Sequence, residues 1–136
     1  MQRTNVSSGG RWEPVVGYSR AVRVGPFVHV AGTTSANNAG EVLGADAYEQ
    51  AVHALKTIET ALVEAGAGLQ DVVRTRVFLK DIEDWKEVGR AHGELFGKIL
   101  PACTMLAVTA FVLPDMLVEI EAEAIVDSSG EADGLQ

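Results

Sequence analysis

The stretch DVVRTRVFLK, residues 71–80, lies between two segments that have a helical pattern of apolar residues, and it has no such pattern itself. Its β-branched residues predict a long β-strand. A strand between two helices indicates a chain of mixed α and β structure. The order of the remaining helices and strands follows from the segments on either side.

An amphipathic helix is predicted on each side of this strand. Before it, Asp46 and Glu49 have the spacing of a capping box and precede apolar residues at helical spacing. After it, Asp84 and Glu87 repeat the capping signal, and the helix stops before Pro101. The apolar stripe of this second helix comprises Trp85, Val88, Leu95 and Ile99.

Four further strands complete the predicted domain. Residues 19–32 carry valines on both sides of a Gly25-Pro26 turn, which predicts a β-hairpin, and residues 103–111 and 117–126 are two more strands. The order β-β-α-β-α-β-β predicts an α+β fold with both helices on one face of a mixed sheet. Because the other face stays uncovered, we expect a homo-oligomer.

With 136 residues, the chain has room for one domain. We expect a flexible segment over residues 1–16, a single domain over residues 17–126 and a disordered tail over residues 127–136. The polar start lacks the apolar run of a signal peptide, and no apolar run reaches the roughly 18 residues of a membrane span. The single Cys103 cannot form an internal disulfide, so we expect a cytoplasmic protein.

The charge balance argues against nucleic acid or a membrane surface as partner. Nineteen acidic and eleven basic residues give a formal net charge of −8, and the basic residues are scattered singly apart from Arg74 and Arg76. Binding to a phosphate backbone requires a basic face. A small molecule and other copies of the chain are therefore the expected partners.

The sequence has no familiar cofactor or catalytic motif: no P-loop, no dinucleotide-binding glycine pattern, no GxSxG and no HExxH. We therefore expect no cofactor. His29, His53 and His92 lie on separate predicted elements, so no metal site is predicted. His92 lies on the apolar stripe of the second helix and is expected to be half-buried with one ring nitrogen hydrogen-bonded.

Cys103 has two interpretations. A nucleophilic cysteine needs a basic neighbour or a helix N-terminus to lower its pKa, and the sequence shows neither beside it. Cysteine is also among the most frequently buried residue types. A buried structural cysteine is the favoured interpretation.

Three carboxylates share one face of the last strand, because Glu119, Glu121 and Glu123 are spaced by two residues. Arg74 and Arg76 have matching spacing, so an ion-pair ladder across two strands is one interpretation. The other is that one glutamate faces a pocket, where it handles a proton or positions a water. The spacing leaves both open.

A series of short motifs runs through residues 17–125. They are Gly17-Tyr18-Ser19, Gly40-Glu41, the segment 71–81, Phe96, Pro101-Ala102, Leu113-Pro114 and the segment 118–121. In this order they resemble the Rid family, also called YjgF/YER057c/UK114. The resemblance implies a chorismate-mutase-like fold, a homotrimer and small-molecule clefts between neighbouring subunits.

The resemblance also implies an activity and a set of site residues. Rid proteins of the RidA type hydrolyse reactive enamines and imines to 2-keto acids and ammonia, and an arginine after the Pro-Ala pair holds the substrate carboxylate. Here that position is Cys103, which carries no positive charge, so we expect weak or absent turnover of 2-aminoacrylate-derived imine. Glu119 matches the catalytic position. The substrate-binding positions are Tyr18, Ala31, Gly32, Thr33, Gly89, Cys103 and Thr104.

Three functions remain open. The first is a hydrolase of the deaminase type that acts on another imine or enamine, with Glu119 positioning water. The second is a trimer that binds or senses a small metabolite without catalysis. The third, a ribonuclease or translation inhibitor, is disfavoured by the acidic composition.

Overall fold

The computed structural model describes residues 1–127, in which six strands form one sheet. The strands are β1 Arg3–Val6, β2 Ala21–Val24, β3 Phe27–Thr33, β4 Val72–Leu79, β5 Ala102–Ala107 and β6 Val118–Ile125. Their order across the sheet is β1-β2-β3-β6-β4-β5. Strands β4 and β5 are parallel, and the other neighbours are antiparallel. The predicted mixed sheet and α+β fold are confirmed.

The helices are α1 Glu13–Val16, α2 Ala47–Glu64 and α3 Trp85–Phe96, with 3-10 turns at Leu69–Asp71 and Ile82–Asp84. Helices α2 and α3 pack on one face of the sheet, as predicted. Their buried side chains join those of the strands in one core, which includes Leu55, Ile58, Leu62, Val88, Phe96, Val28, Val77 and Ile120. None of the helices in residues 1–127 is long and apolar enough to cross a bilayer.

One of the two predicted helix caps is confirmed. The Asp46 carboxylate accepts the backbone N–H of Glu49 at 2.8 Å and so caps α2. Asp84 makes no such bond at the start of α3, because the preceding 3-10 turn is capped instead by Asp81, which accepts the N–H of Glu83 at 3.0 Å. Trp85 is 51% exposed and therefore lies outside the core, unlike the rest of the apolar stripe.

Residues 1–16 differ from the expected flexible segment. Strand β1 pairs with β2, and Val6 is only 6% exposed. Glu13 is buried. Its carboxylate accepts hydrogen bonds from the hydroxyl of Ser7, the hydroxyl of Ser8 and the backbone N–H of Gly10. The β1–β2 pairing ties the segment to the sheet, and the Glu13 bonds fix the turn that follows β1. The composition of the segment did not reveal either feature. Of the expected tail, residues 128–136 lie outside the described residues.

The face of the sheet opposite the helices carries the expected charged residues. Arg76 Nη1 lies 3.3 Å from a Glu121 carboxylate oxygen and 2.9 Å from one of Glu123. Arg74 is exposed and has no carboxylate within ion-pair distance among residues 1–127. The ion-pair interpretation therefore holds for Glu121 and Glu123, with Arg76 as their cation, and not for Arg74 or Glu119.

Strand β5 forms one edge of the sheet and is exposed along nearly its whole length. It is shorter than the predicted strand 103–111. Cys103 is exposed, so the prediction of a buried cysteine is wrong for the single chain. The physical reason is position, because no strand within residues 1–127 pairs with the outer side of β5.

Candidate functional site

A β-bulge in β3 shapes the site. Val30 pairs with Ala122 and Thr33 with Ile120, so β3 contains one residue more than β6 over this interval. Ala31 and Gly32 therefore lie outside regular pairing. Bulges redirect backbone and side-chain groups and are common beside active sites.

Arg20, the residue before β2, lies beside this bulge and is only 8% exposed. Its Nη1 donates to the carbonyl oxygen of Gly32 at 2.8 Å and to Thr33 Oγ1 at 2.9 Å. Its Nη2 donates to Tyr18 Oη at 3.2 Å. Within residues 1–127, its buried Nε has no hydrogen-bond partner. The bulge thus holds a buried guanidinium in a fixed orientation.

The two hydroxyls that contact Arg20 differ in whether their own hydrogen is still free to be donated. Thr33 Oγ1 accepts from Arg20 and donates to the Ala31 carbonyl at 2.7 Å, so its hydrogen is used. Tyr18 Oη accepts from Arg20 and keeps its own hydrogen. Tyr18 can therefore donate to a ligand, whereas Thr33 positions Arg20.

Glu119 extends from β6 towards the bulge. Its carboxylate contacts the point where Gly32 would carry a Cβ, so the glycine makes room for it. Burial raises the pKa of Glu119 above its usual range, the negative charge of Glu121 adds to the increase, and the positive charge of Arg20 offsets part of it. Such a carboxylate is a stronger base than an exposed glutamate and suits proton transfer near neutral pH.

A cavity of about 660 Å³ opens over these groups. Arg20 and Glu119 are its charged lining residues, Tyr18 lies among its neutral polar ones, and apolar walls come from residues that include Trp12, Val16, Val112 and Met116. Small-molecule sites typically have this size and this combination of apolar walls with a few convergent polar groups.

The structure divides the predicted site residues into two groups. Tyr18, Ala31, Gly32, Thr33 and Glu119 all line this cavity, and we call them the first group. The second group, Gly89, Cys103 and Thr104, lies elsewhere. Strands β6 and β4 separate β3 from β5, which places the two strands about 14 Å apart.

Within the second group, Cys103 and Thr104 lie on β5 and Gly89 lies on α3. Cys103 pairs with Thr75 of β4, and Thr75 Oγ1 is hydrogen-bonded to His92 Nε2 at 2.8 Å. His92 follows Gly89 on α3 by about one turn. His92 is half-buried and burial lowers its pKa, which confirms the expectation of a histidine with one hydrogen-bonded ring nitrogen.

Comparison with known proteins identifies the family. A protein-family model described as Endoribonuclease L-PSP matches residues 9–126. Rv2704 of Mycobacterium tuberculosis, a member of the YjgF/YER057c/UK114 family, has 54% sequence identity and a TM-score of 0.85, with 92% of this chain and 100% of that chain covered. The chain belongs to the Rid (YjgF/YER057c/UK114) family.

Two further relatives are similar over most of the chain, and one of them has a named activity. Protein SCO2049 of Streptomyces coelicolor is 44% identical over 121 residues, which cover 88% of this chain and 89% of that protein. The 3-aminoacrylate deaminase RutC of Acinetobacter baylyi is 32% identical over 114 residues, which cover 83% of this chain and 90% of that protein. The Rid family thus includes a deaminase of a small enamine.

Sequence reasoning missed Arg20. It stands directly after the Gly17-Tyr18-Ser19 motif and before the buried Ala21, so alternation along the strand places its side chain on the face opposite the core. A lone arginine beside a family motif, in a chain with few basic residues, was the available signal. The hydrogen bonds that bury it depend on the bulge, which the sequence did not reveal.

Proposed function

We propose that this Rid protein hydrolyses the C=N bond of a small imine, or of an enamine through its imine tautomer, and releases ammonia. The observation that carries the proposal is the Glu119 carboxylate, which is half-buried beside a cavity and has no cation within ion-pair distance among residues 1–127. The 3-aminoacrylate deaminase activity of the RutC relative supports this reaction type.

The reaction requires one water and one proton-transfer group. Glu119 accepts a proton from water while the water oxygen bonds to the imine carbon, and the carboxyl then passes this proton to the imine nitrogen, which gives a neutral amino alcohol. In the second stage the carboxylate accepts the hydroxyl proton of the amino alcohol and delivers it to the amine nitrogen as the C–N bond breaks and the C=O bond forms. Imine and water thus become a carbonyl compound and ammonia, and Glu119 returns to its starting state.

The division of the site residues favours a cleft between subunits. In a cyclic oligomer two different surfaces meet, so the first group of one subunit can face the second group of its neighbour. The exposed β5, which carries Cys103 and Thr104, supplies such a second surface. We therefore propose a homotrimer whose clefts each combine both groups, acting in the cytoplasm.

The substrate is expected to differ from that of RidA-type relatives. Cys103 offers no charge to a carboxylate, so the imine derived from 2-aminoacrylate should be turned over weakly or not at all. 3-Aminoacrylate, on which the RutC relative acts, is the first compound to assay.

Two alternatives make different predictions for the same protein. A binding or sensing trimer would hold a ligand in the cavity without releasing ammonia. A ribonuclease, which the description of the family model suggests, would bind RNA with strong salt dependence. The net charge of −8 disfavours the ribonuclease.

Ammonia release tests the proposal. The assay compares the wild-type protein with Glu119→Gln and Glu123→Gln on 3-aminoacrylate and on imines generated in situ from small amino acids. Glu119→Gln should lose about 10²–10⁴-fold in kcat, the usual contribution of a general base. Glu123, which is paired with Arg76 outside the cavity, provides the matched control. Equal turnover by Glu119→Gln and wild type would refute the role of Glu119.

A further inference from the structure

Arg20 is the only cationic side chain among the described residues that line the cavity. We propose that Arg20 is the anion-binding residue of this cleft and holds the carboxylate of a small substrate. This inference rests on the proposed function for its reaction, but the binding step it describes can be measured without turnover.

The hydrogen bonds of Arg20 leave two of its N–H groups without an acceptor. A guanidinium has five N–H groups, and three of them are donated to Gly32, Thr33 and Tyr18. The buried Nε–H and the second N–H of Nη2 have no acceptor among residues 1–127. A carboxylate is the strongest common partner for guanidinium N–H groups.

The bonds that are already made fix the position of the charge. Two of them go to the β3 bulge, so the guanidinium is oriented before any ligand arrives. A preorganised group gives up little conformational freedom on binding, which favours affinity. The free hydrogen of Tyr18 Oη lies next to the guanidinium and supplies another donor to the same carboxylate.

Arg20 and Glu119 carry opposite charges but do not form an ion pair. No oxygen of Glu119 lies within the 4.0 Å of an ion pair with Arg20, although both side chains line the cavity. Direct contact with Glu119 therefore does not neutralise the positive charge of Arg20. The carboxylate of a small molecule in the cavity can supply that negative charge.

The position of Arg20 also bears on substrate choice. It belongs with the first group, whereas Cys103 lies on β5 with the second group. A carboxylate held by Arg20 therefore lies in a different part of the cleft from one held at position 103. This placement explains how the protein can bind a carboxylate and still differ from RidA-type relatives in its preferred imine.

Binding of pyruvate and of its neutral analogue pyruvamide, measured by calorimetry, tests the inference. The wild-type protein should bind pyruvate more tightly than pyruvamide, and Arg20→Gln should weaken pyruvate binding about 10- to 150-fold without affecting pyruvamide. Arg20→Lys keeps the charge but loses the planar guanidinium and its fixed donors, so its affinity should lie between those of wild type and Arg20→Gln. Arg23→Gln is the control, because Arg23 donates to the carbonyls of Gly25 and Ala65 outside the cavity.

Wild-type binding alone can overturn the inference. Equal affinity for pyruvate and pyruvamide, or no pyruvate binding at millimolar concentration, would show that Arg20 is not an anion site, whether or not the variants fold. Unchanged pyruvate affinity in a folded Arg20→Gln would do the same. Selective pyruvate binding without ammonia release from any imine would uphold the role of Arg20 and refute the hydrolase proposal.

Discussion

The Glu119 carboxylate occupies the space that a side chain at position 32 would fill. Gly32 lies in the β3 bulge and Glu119 in the adjacent β6, so this contact joins the irregular part of one strand to the regular part of the next. The φ angle of Gly32 is outside the left-handed region, and the backbone there accepts alanine. An added Cβ would therefore displace the end of the Glu119 side chain, whereas the strand could stay in place.

Gly32→Ala should consequently lower kcat by roughly tenfold or more, because a proton-transfer group contributes about 10²–10⁴-fold only in the correct position. Thermal unfolding should show that the variant is folded. Gly93→Ala is the control, since a Cβ there meets no atom within 4 Å. It should keep wild-type turnover and gain about 0.5–1 kcal/mol from helix propensity. Full activity of Gly32→Ala would mean that the carboxylate position is not critical.

The raised pKa of Glu119 predicts how its replacement affects stability. The folded state binds a proton at this site more strongly than the unfolded state, so the free energy of unfolding falls as pH rises from the ordinary glutamate pKa through the raised one. Glu119→Gln removes the titrating group and with it this pH-dependent loss of stability. It should be at least as stable as wild type at neutral pH, and the difference should vanish at acidic pH. Chemical denaturation across a pH series measures it, and a Gln variant that is less stable at neutral pH would contradict the assignment.

The hydrogen bond between Thr75 and His92 predicts a stability change away from the cavity. Thr75 is 1% exposed, and Thr75→Val removes the hydroxyl while keeping nearly the same shape. His92 Nε2 then lacks this partner, which should cost about 1–3 kcal/mol in the free energy of unfolding. Thr60→Val, at an exposed position of α2, should change stability by less than about 0.5 kcal/mol. Similar free energies of unfolding for the two variants would show that the Thr75–His92 hydrogen bond adds little to stability.

The sequence was sufficient for the architecture, because apolar periodicity and the Asp46 cap depend on residues close in the chain. Alternation along β6 likewise placed Glu119, Glu121 and Glu123 on one face correctly. It could not distinguish their roles. Glu121 and Glu123 have Arg76 opposite them, whereas Glu119 lies beside the bulge and the cavity.

What the sequence missed depends on long-range geometry. The pairing of β1 with β2 comes from a segment whose polar composition resembles a loose terminus. Arg20 is buried by acceptors on β3, more than ten residues further along the chain. The exposure of Cys103 follows from the position of β5 at the sheet edge, which local residue types do not determine.

The exposed edge strand predicts how the oligomer can be disrupted. Leu106 of β5 is 41% exposed in the single chain, so Leu106→Lys should leave the fold of each subunit intact. If β5 lies in the subunit interface, a charge there is buried on assembly and should dissociate the trimer. Sedimentation should give a trimer mass for wild type at micromolar concentration and a monomer mass for the variant. A wild-type monomer would refute the proposed assembly.

Mixed oligomers test whether each cleft uses two chains. Glu119→Gln damages the first group, and Cys103→Trp places a bulky side chain in the second group at an exposed position. If both groups form one cleft across the interface, each variant alone should be inactive. A cleft is intact only where the first group comes from the Trp variant and the second from the Gln variant. Random assembly of equal amounts, half of each chain at each position, restores about a quarter of the clefts.

Denaturing the two variants together and refolding them should therefore return about a quarter of wild-type ammonia release, with the variants refolded separately as the baseline. Native mass spectrometry establishes that mixed trimers have formed, because tryptophan at position 103 changes the mass of the subunit. Mixed trimers without recovered activity would show that Glu119 and Cys103 act within one chain or in different sites. Full activity of Cys103→Trp alone would exclude the second group from the cleft. Recovery near a quarter is the result that a cleft shared between neighbouring subunits requires, since no single chain in the mixture carries both intact groups.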